Sequence, residues 1–381
     1  MQKLKFHITI LSPLLFVSNT GDTNMVATRE YIPGSAVLGL FAGEFISKKS
    51  LSSNAHTDKT FSDWFLNGGL KFTNAYIVSR DKDNNLKDNL PIPISLQKEK
   101  KNEKEIHDLL LDESCEEQTK GISGFGRLEG DKFYKQAVKK LLNFHHERDY
   151  ESGTTKKGII FNYESIDSGQ TFEGEIIGKK DDLKKFQELF RNENIFSIGR
   201  SRSVQYGKIK FEFISKAPEE ITSHIDNING GVTMTLISDA IIYNKEGFST
   251  TDRTTLEDEM KKILGDNIKI DNAFIKAGET ENFVSVWKLR RPSEVCFQIG
   301  SCFLIKDISP DDKDKLLELE KNGIGERRGE GFGRVFFGWQ KEERLKGRDN
   351  EKSKNKKPSI LIPDKTKMIA YTVIKDFISK Q

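Results

Sequence analysis

The sequence predicts an α+β protein built from two ferredoxin-like (RRM-like) β-α-β-β-α-β domains, the first carrying an insertion. Three observations lead there. Short alternating apolar runs recur with amphipathic stretches between them, and the order of these elements is similar in the two halves. The chain has 381 residues, enough for two ordinary cores. Its mixture of 35% hydrophobic and 31% charged residues is polar but still globular. No apolar run approaches the length that crosses a bilayer, so no membrane partner is expected.

In the first half, Leu4, Phe6, Ile8 and Ile10 alternate with polar residues and predict a strand over 4–11. Two lysines ahead of that stretch weakly mimic a signal peptide, but no small-residue cleavage site follows. Pro33-Gly34 breaks the chain and Ser35 reads as an N-cap. Ala36, Val37, Leu40, Phe41 and Phe45 then follow helical spacing over 35–47. Strands at 70–79 and 158–177, a helix at 181–191 and a strand at 204–214 complete this half. The second half offers strands at 232–243, 268–276, 282–289, 295–305 and 334–339, with helices at 254–264 and 311–321. The domains are expected at 1–217, with the insertion over about 80–157, and at 230–340, joined by "KAPEEITSHIDNINGG". Residues 98–120 are charge-dense and suggest an inserted or mobile arm. Residues 341–357 hold eight basic and four acidic side chains with one leucine and read as a solvated linker. Amphipathic spacing returns at Met368, Tyr371, Ile374 and Phe377, which predicts a terminal helix within 358–381.

Sixty-one basic and fifty-eight acidic residues leave a net charge of +3, so any anion-binding surface must come from local clustering. The cysteines Cys115, Cys296 and Cys302 have neither metal-like spacing nor an even count, which fits a reducing cytoplasm. No zinc ligand set, metal or cofactor is expected.

Local clustering is what the glycine- and arginine-containing segments provide. "REYIPGSAVLG" puts Gly34 just before a helix start, where free N–H groups and the helix dipole can receive a phosphate; an ordinary turn and cap is the alternative. "IGRSRSVQYG" holds Arg200 and Arg202 between glycines, either a fork for phosphate oxygens or a solvated hairpin. "NGIGERRGEGFGRVFFG" packs six glycines and three arginines into residues 322–338. A helix precedes it and a strand follows, the reverse of a dinucleotide-binding turn, and the Gly-Lys-Ser/Thr of a P-loop is absent. Its glycines can turn successive N–H groups into one concavity, and Arg327, Arg328 and Arg334 suggest an extended polyanion. "SGFGRLEGDKFYK" repeats the theme inside the insertion. There Phe125 and Arg127 could stack on and hold an unpaired base, or simply pack on their own domain.

Taken in order, "YIPGSAVLG", "GQTFEGEIIG", "IGRSRSVQYG" and "GEGFGRV" resemble the motifs of the RAMP superfamily of CRISPR-associated proteins. The arrangement is most similar to the type III subunit that caps the 5′ end of the crRNA, in its type III-D version. That resemblance implies a subunit gripping the repeat-derived 5′ handle beside the large polymerase-like subunit and the backbone RAMP subunits, with target RNA nearby. It implies Arg29, Tyr31, Gly34 and Ser35 at an RNA-facing helix start and Arg200 and Arg202 along the handle. Gly329, Gly331, Phe332, Gly333 and Arg334 would form the glycine-rich loop, flanked by Arg327 and Arg328.

Catalysis has two candidate sets. His145 and His146 could supply a general base to a 2′-hydroxyl, as histidine does in crRNA-processing relatives, although the pair also reads as an exposed helix end. Asp22 lies in the loop where backbone RAMP subunits carry a catalytic aspartate, but a Gly-Asp-Thr sequence is also a common turn. The sequence favours a non-catalytic RNA-binding subunit, with an endoribonuclease or a plain scaffold as rivals.

Overall fold

The structure is a computed structural model that describes residues 1–348 except 19–24, 82, 84, 113, 149–154, 193, 203–204, 226–227, 229–230, 282 and 285–288. Side chains are not described for 145–148, 155–161, 283 and 284. Asp22 and the helix expected within 358–381 lie outside these residues, as do the side chains of His145 and His146.

Strand β1 (Gln2–Ile10) turns Leu4, Phe6, Ile8 and Ile10 to one face, all fully buried, as its period of two requires. Helix α1 (Gly34–Lys48) follows, then β2 (Leu70–Phe72), β3 (Thr171–Gly178), α2 (Lys180–Phe190) and β4 (Lys208–Phe213). The sheet runs β4-β1-β3-β2 with every neighbour antiparallel, and β1 is central. An aromatic cluster fills the space between sheet and helices. Phe41 of α1 meets Phe211 and Phe186 edge-on at 4.9 Å and Phe190 at 4.8 Å. Edge-to-face rings of this kind add about 0.5–1.5 kcal/mol per pair beyond their buried area.

The second half repeats the order. It contains β5 (Gly231–Leu236), α3 (Arg253–Leu264), β6 (Lys269–Phe274), β7 (Cys302–Lys306), α4 (Lys313–Asn322) and β8 (Val335–Phe337). Its sheet runs β8-β5-β7-β6, again antiparallel throughout, so the two halves share one topology. Leu256 and Met260 of α3 and Leu316 and Leu319 of α4 cover Met234, Leu236, Phe303 and Phe337 of the sheet. Asp252 caps α3 by accepting from Thr254 N at 3.1 Å.

Several expectations are corrected. Ser35 is not the N-cap: α1 begins at Gly34, whose N–H donates to Asn74 Oδ1 at 2.8 Å, so the cap comes from a distant loop. The single strand expected over 158–177 is two strands in different sheets. Thr155–Ile166 pairs with Lys140–Arg148 in a long hairpin, and β3 joins the first sheet. His145 and His146 therefore sit on a strand, opposite Phe161 and Ile160, and not at a helix end.

Residues 98–120 are not a loose arm. Leu96–Glu99, Glu105–Asp108 and Thr119–Gly121 pair within a third, seven-stranded sheet that also takes Phe125–Glu129, Lys132–Gln136 and Leu90–Pro91. Its remaining strand is Arg344–Arg348, which enters between Glu105–Asp108 and Lys132–Gln136. The linker reading of 341–357 fails there because Leu345, the one apolar residue, is buried against Ile106 and Trp339 in a small core.

Candidate nucleic-acid interface

The open face of the first sheet carries many charges, and they cancel one another. Lys3 pairs with Glu175 at 2.6 Å, and Lys5 with Glu173 at 2.6 Å and Asp88 at 2.8 Å. Glu173 also meets His7 Nε2 at 2.8 Å. Burial opposes the ionisation of Glu173, yet the His7 hydrogen bond and the Lys5 charge hold it down to about 2. A face neutralised in this way offers little to a polyanion.

The seam between the two halves is different. Here the glycine-rich loop that follows α4 settles on the start of α1 and on β2. A Cβ on Gly34 would lie 2.1 Å from Phe72 O and 3.0 Å from Gly331 Cα, and one on Gly331 would lie 2.8 Å from Phe72 O. Glycine is required at both positions because two backbones meet there. At Gly333, φ is 67° and a Cβ would stand 1.8 Å from Ile324 O, where the Ile324 N–H donates to Gly333 O at 2.8 Å and clasps the loop shut. The N–H groups of Glu330, Gly331, Gly333 and Arg334 all donate within the protein. These glycines serve close packing and do not present their N–H groups as an anion nest.

The arginines of the loop divide into three environments. Arg327 is tied to Glu330 at 2.8 Å and Glu294 at 3.6 Å, and its guanidinium lies 4.5 Å from the centre of the half-buried Phe332 ring. Arg334 is buried, donates to Lys321 O at 3.3 Å, and leaves its Nε without a partner among the described residues. Arg328 is exposed. Beneath it lies Lys71 of β2, buried, with Nζ donating to Asn322 Oδ1 at 2.9 Å and to the Lys321 and Asn322 carbonyls. Burial, then the charges of Arg334 and Arg328, push Lys71 down to about 8. Lys71, Arg328 and Arg334 thus form a cationic group in which no carboxylate is bonded to any member among the described residues. A lysine inside the apolar run "GLKFT" is the sequence sign of this group.

The remaining sequence candidates fall on both sides of that seam. Arg29 donates to Tyr31 Oη at 2.7 Å and approaches Asp239 at 3.8 Å. Burial raises the Tyr31 phenol to about 12, with the nearby Asp239 charge adding to the effect, so it stays neutral. Arg200 and Arg202 are exposed, and Arg200 lies 5.5 Å from the Tyr163 ring at the base of the long hairpin. Arg200 N donates to Leu15 O and Arg29 N to Phe16 O, so these two basic positions are braced by adjacent carbonyls. Phe125 and Arg127 belong elsewhere. Phe125 is buried, 5.3 Å from Tyr76, and Arg127 donates to Ser79 Oγ at 2.7 Å, pairs with Glu129 and stacks on Tyr134. Of the two readings of this pair, packing is the one found: Phe125 enters the core of the first half and Arg127 lies along its own strand's neighbours.

Fold and site together define a β-rich α+β protein with a glycine-rich loop wedged at the seam between its two halves. A family model described as RAMPs, the RAMP superfamily, matches residues 7–210, more than half of the chain, and the chain belongs to that superfamily. Membership supports a CRISPR-associated, RNA-binding role. No curated protein matches the sequence. Among solved structures, the chain is similar to one from the type III-B Cmr-beta complex bound to cognate target RNA and AMPPnP. The identity is 12% and the TM-score 0.45, over 82% of this chain and 93% of that one. It is also similar to a Cas6-related gene product from Pyrococcus furiosus (12% identity, TM-score 0.38, covering 88% and 98%). A third similarity is to a RAMP protein binding different RNA substrates (10% identity, TM-score 0.37, covering 88% and 99%). Among the described residues, no helix is long and apolar enough to cross a membrane.

Proposed function

We propose that this chain is a non-catalytic crRNA-binding subunit of a type III CRISPR effector complex, of the III-D kind. It grips the 5′ repeat-derived handle, abuts the large polymerase-like subunit and the backbone RAMP subunits, and lies near target RNA in the cytoplasm. Each half is read as a ferredoxin-like domain, with 1–217 and 230–340 as the working boundaries. The observation that carries the proposal is the gathering of Lys71, Arg328 and Arg334 at the seam, where Glu175 and Glu320 offset part of the Arg334 charge without a direct ion pair among the described residues. Holding the buried Lys71 beside two arginines costs stability, as its lowered pKa shows, and an anion arriving at the exposed Arg328 would relieve that cost. Arg200 and Arg202 extend the basic path, while Arg29 and Tyr31 brace its wall. RNA bound here is held through its backbone and splayed bases, without a base preference that an arginine count could supply.

The test is binding of a 5′-handle RNA to the full chain at several salt concentrations. Affinity is expected to fall by about 0.7 log units per log unit of salt for each phosphate neutralised. Arg328→Glu combined with Arg200→Glu should weaken binding at least about tenfold, a loss of ~1.4 kcal/mol, with unchanged circular dichroism. Equal affinity in the folded variant overturns the proposal. RNA cleavage that is lost in Asp22→Ala or His146→Ala would replace it with an endoribonuclease.

A further inference from the structure

The loop joining Glu105–Asp108 to Thr119–Gly121 in the third sheet lies far in sequence from the seam residues and takes no part in the proposed RNA site. It brings together His107, Asp112 and Cys115, whose ligand atoms all lie within 4.8 Å of one another. His107 is 2% exposed and Asp112 4% exposed, so these groups are not a solvated surface cluster. Their second contacts are organised. His107 Nε2 lies 2.8 Å from Glu99 Oε1; in the tautomer whose Nε2–H donates to that carboxylate, Nδ1 keeps its lone pair on the opposite side of the ring. On that side Nδ1 lies 3.5 Å from Asp112 Oδ2. The opposite oxygen, Asp112 Oδ1, is occupied by Ser114, whose N–H and hydroxyl donate to it at 3.2 and 2.9 Å. Oδ2 is therefore the oxygen presented to His107. Arg344 Nε, from the strand that closes the sheet, stands 3.7 Å from the same oxygen and offsets part of its charge.

In that tautomer Nδ1 and Asp112 Oδ2 are two acceptors, which a proton or a cation between them would bridge. Nitrogen and oxygen ligands about 2.0–2.2 Å from a tetrahedral zinc ion are themselves about 3.4 Å apart, close to the spacing found here. The donated Nε2 proton is the arrangement usual for a metal-bound histidine, in which an outer carboxylate fixes the tautomer. A thiolate as third ligand selects a borderline-soft transition metal over magnesium or calcium. We infer that His107, Asp112 and Cys115 form a binding site for one divalent transition-metal ion, zinc by its ligand chemistry, with Glu99 as the positioning carboxylate and a fourth position for water. The site would fasten the loop between Asp108 and Thr119 to its sheet. Among the described residues that sheet has a small core around Leu96, Ile106, Phe133 and Leu345, with Leu90, Leu128 and Phe336 packed against it, and small cores commonly need such a staple.

The experiment uses the untagged full chain, refolded or dialysed with zinc, and measures bound metal by plasma mass spectrometry. The site predicts one zinc per chain, and with cobalt(II) a thiolate-to-metal charge-transfer band that Cys115→Ser removes. Cys296 and Cys302 are buried in other parts of the fold and serve as internal controls. Glu99→Gln, which keeps all three ligands, should weaken zinc binding about 10- to 100-fold. Because His107→Ala could fail to fold, Cys115→Ser is the primary variant; Cys115 is only half-buried. Metal well below one equivalent, or a cobalt spectrum unaltered in Cys115→Ser, overturns the inference and leaves a protonated histidine between two carboxylates.

Discussion

The loop at 198–207 presents Arg200 and Arg202 to solvent, whereas the loop at 323–334 turns Arg334 inward and ties Arg327 to Glu330 and Glu294. Both are rich in glycine and arginine, and the sequence treats them alike. The difference lies in what surrounds each backbone. The first loop rests on the Leu14–Leu15 segment with Arg200 and Arg202 outward and Ile198 and Tyr206 buried; the second is wedged between two sheets, with α1 on one side and Asp239 and Ile241 on the other. An arginine count thus overstates the charge that a packed loop offers, and the lysine beneath it contributes instead.

Substitutions can break this contrast, the largest effect first. Gly333→Ala must place a Cβ against Ile324 O at positive φ, and we expect a loss of about 3 kcal/mol in urea unfolding. If instead the loop relaxes and stability is unchanged, the wedge is not rigid. Arg200→Glu with Arg202→Glu should leave unfolding within about 0.5 kcal/mol of the parent, because both side chains are exposed. The same pair should reduce handle affinity about tenfold and shrink the salt slope by about 1.4, for two lost phosphate contacts. An unaltered slope would remove that loop from the RNA path.

Lys71 supplies the smallest and most specific effect. Its folded value of about 8 lies below the ordinary lysine value of 10.5, so between those limits the unfolded chain binds more protons than the folded one. Stability from this group therefore rises as pH increases from about 8 to 10.5, and below 8 the cost of its charge is constant. A phosphate near Nζ reverses the shift, and RNA binding at pH 8 should take up about half a proton, read from the buffer dependence of the binding enthalpy. Lys71→Met should abolish that uptake and weaken binding without lowering the melting temperature by more than a few degrees. Uptake that persists in the variant would assign the proton to another group.

How much was legible can be argued residue by residue. Alternation at Leu4, Phe6, Ile8 and Ile10 and the helical spacing of Val37, Leu40, Phe41 and Phe45 are local properties, and the elements stand where those periods put them. The repeated order of elements was likewise readable. Ser35 misled because its capping role passed to Asn74, forty residues away, and no local pattern reports a cap supplied by another loop. The first part of the expected linker, 341–348, misled because composition averages over a window, while a strand needs only Leu345 buried and partners on both sides. Phe125 and Arg127 looked like a base-binding pair, since a glycine–aromatic–arginine motif carries no record of which face is covered.

By itself the sequence determined the helices of both halves and the order in which they alternate with strands, though not where the expected strands 158–177 and 295–305 divide between sheets, and it marked the loops where glycine and arginine concentrate. Tertiary structure alone decided which arginines face water, that Gly34 and Gly331 meet, that Lys71 lies beneath Arg328, and that His107 faces Asp112. The physical reason is range. Side-chain periodicity is fixed by the backbone within a few residues, whereas burial, charge compensation and ligand geometry depend on segments up to about 250 positions apart, as between Lys71 and Asn322.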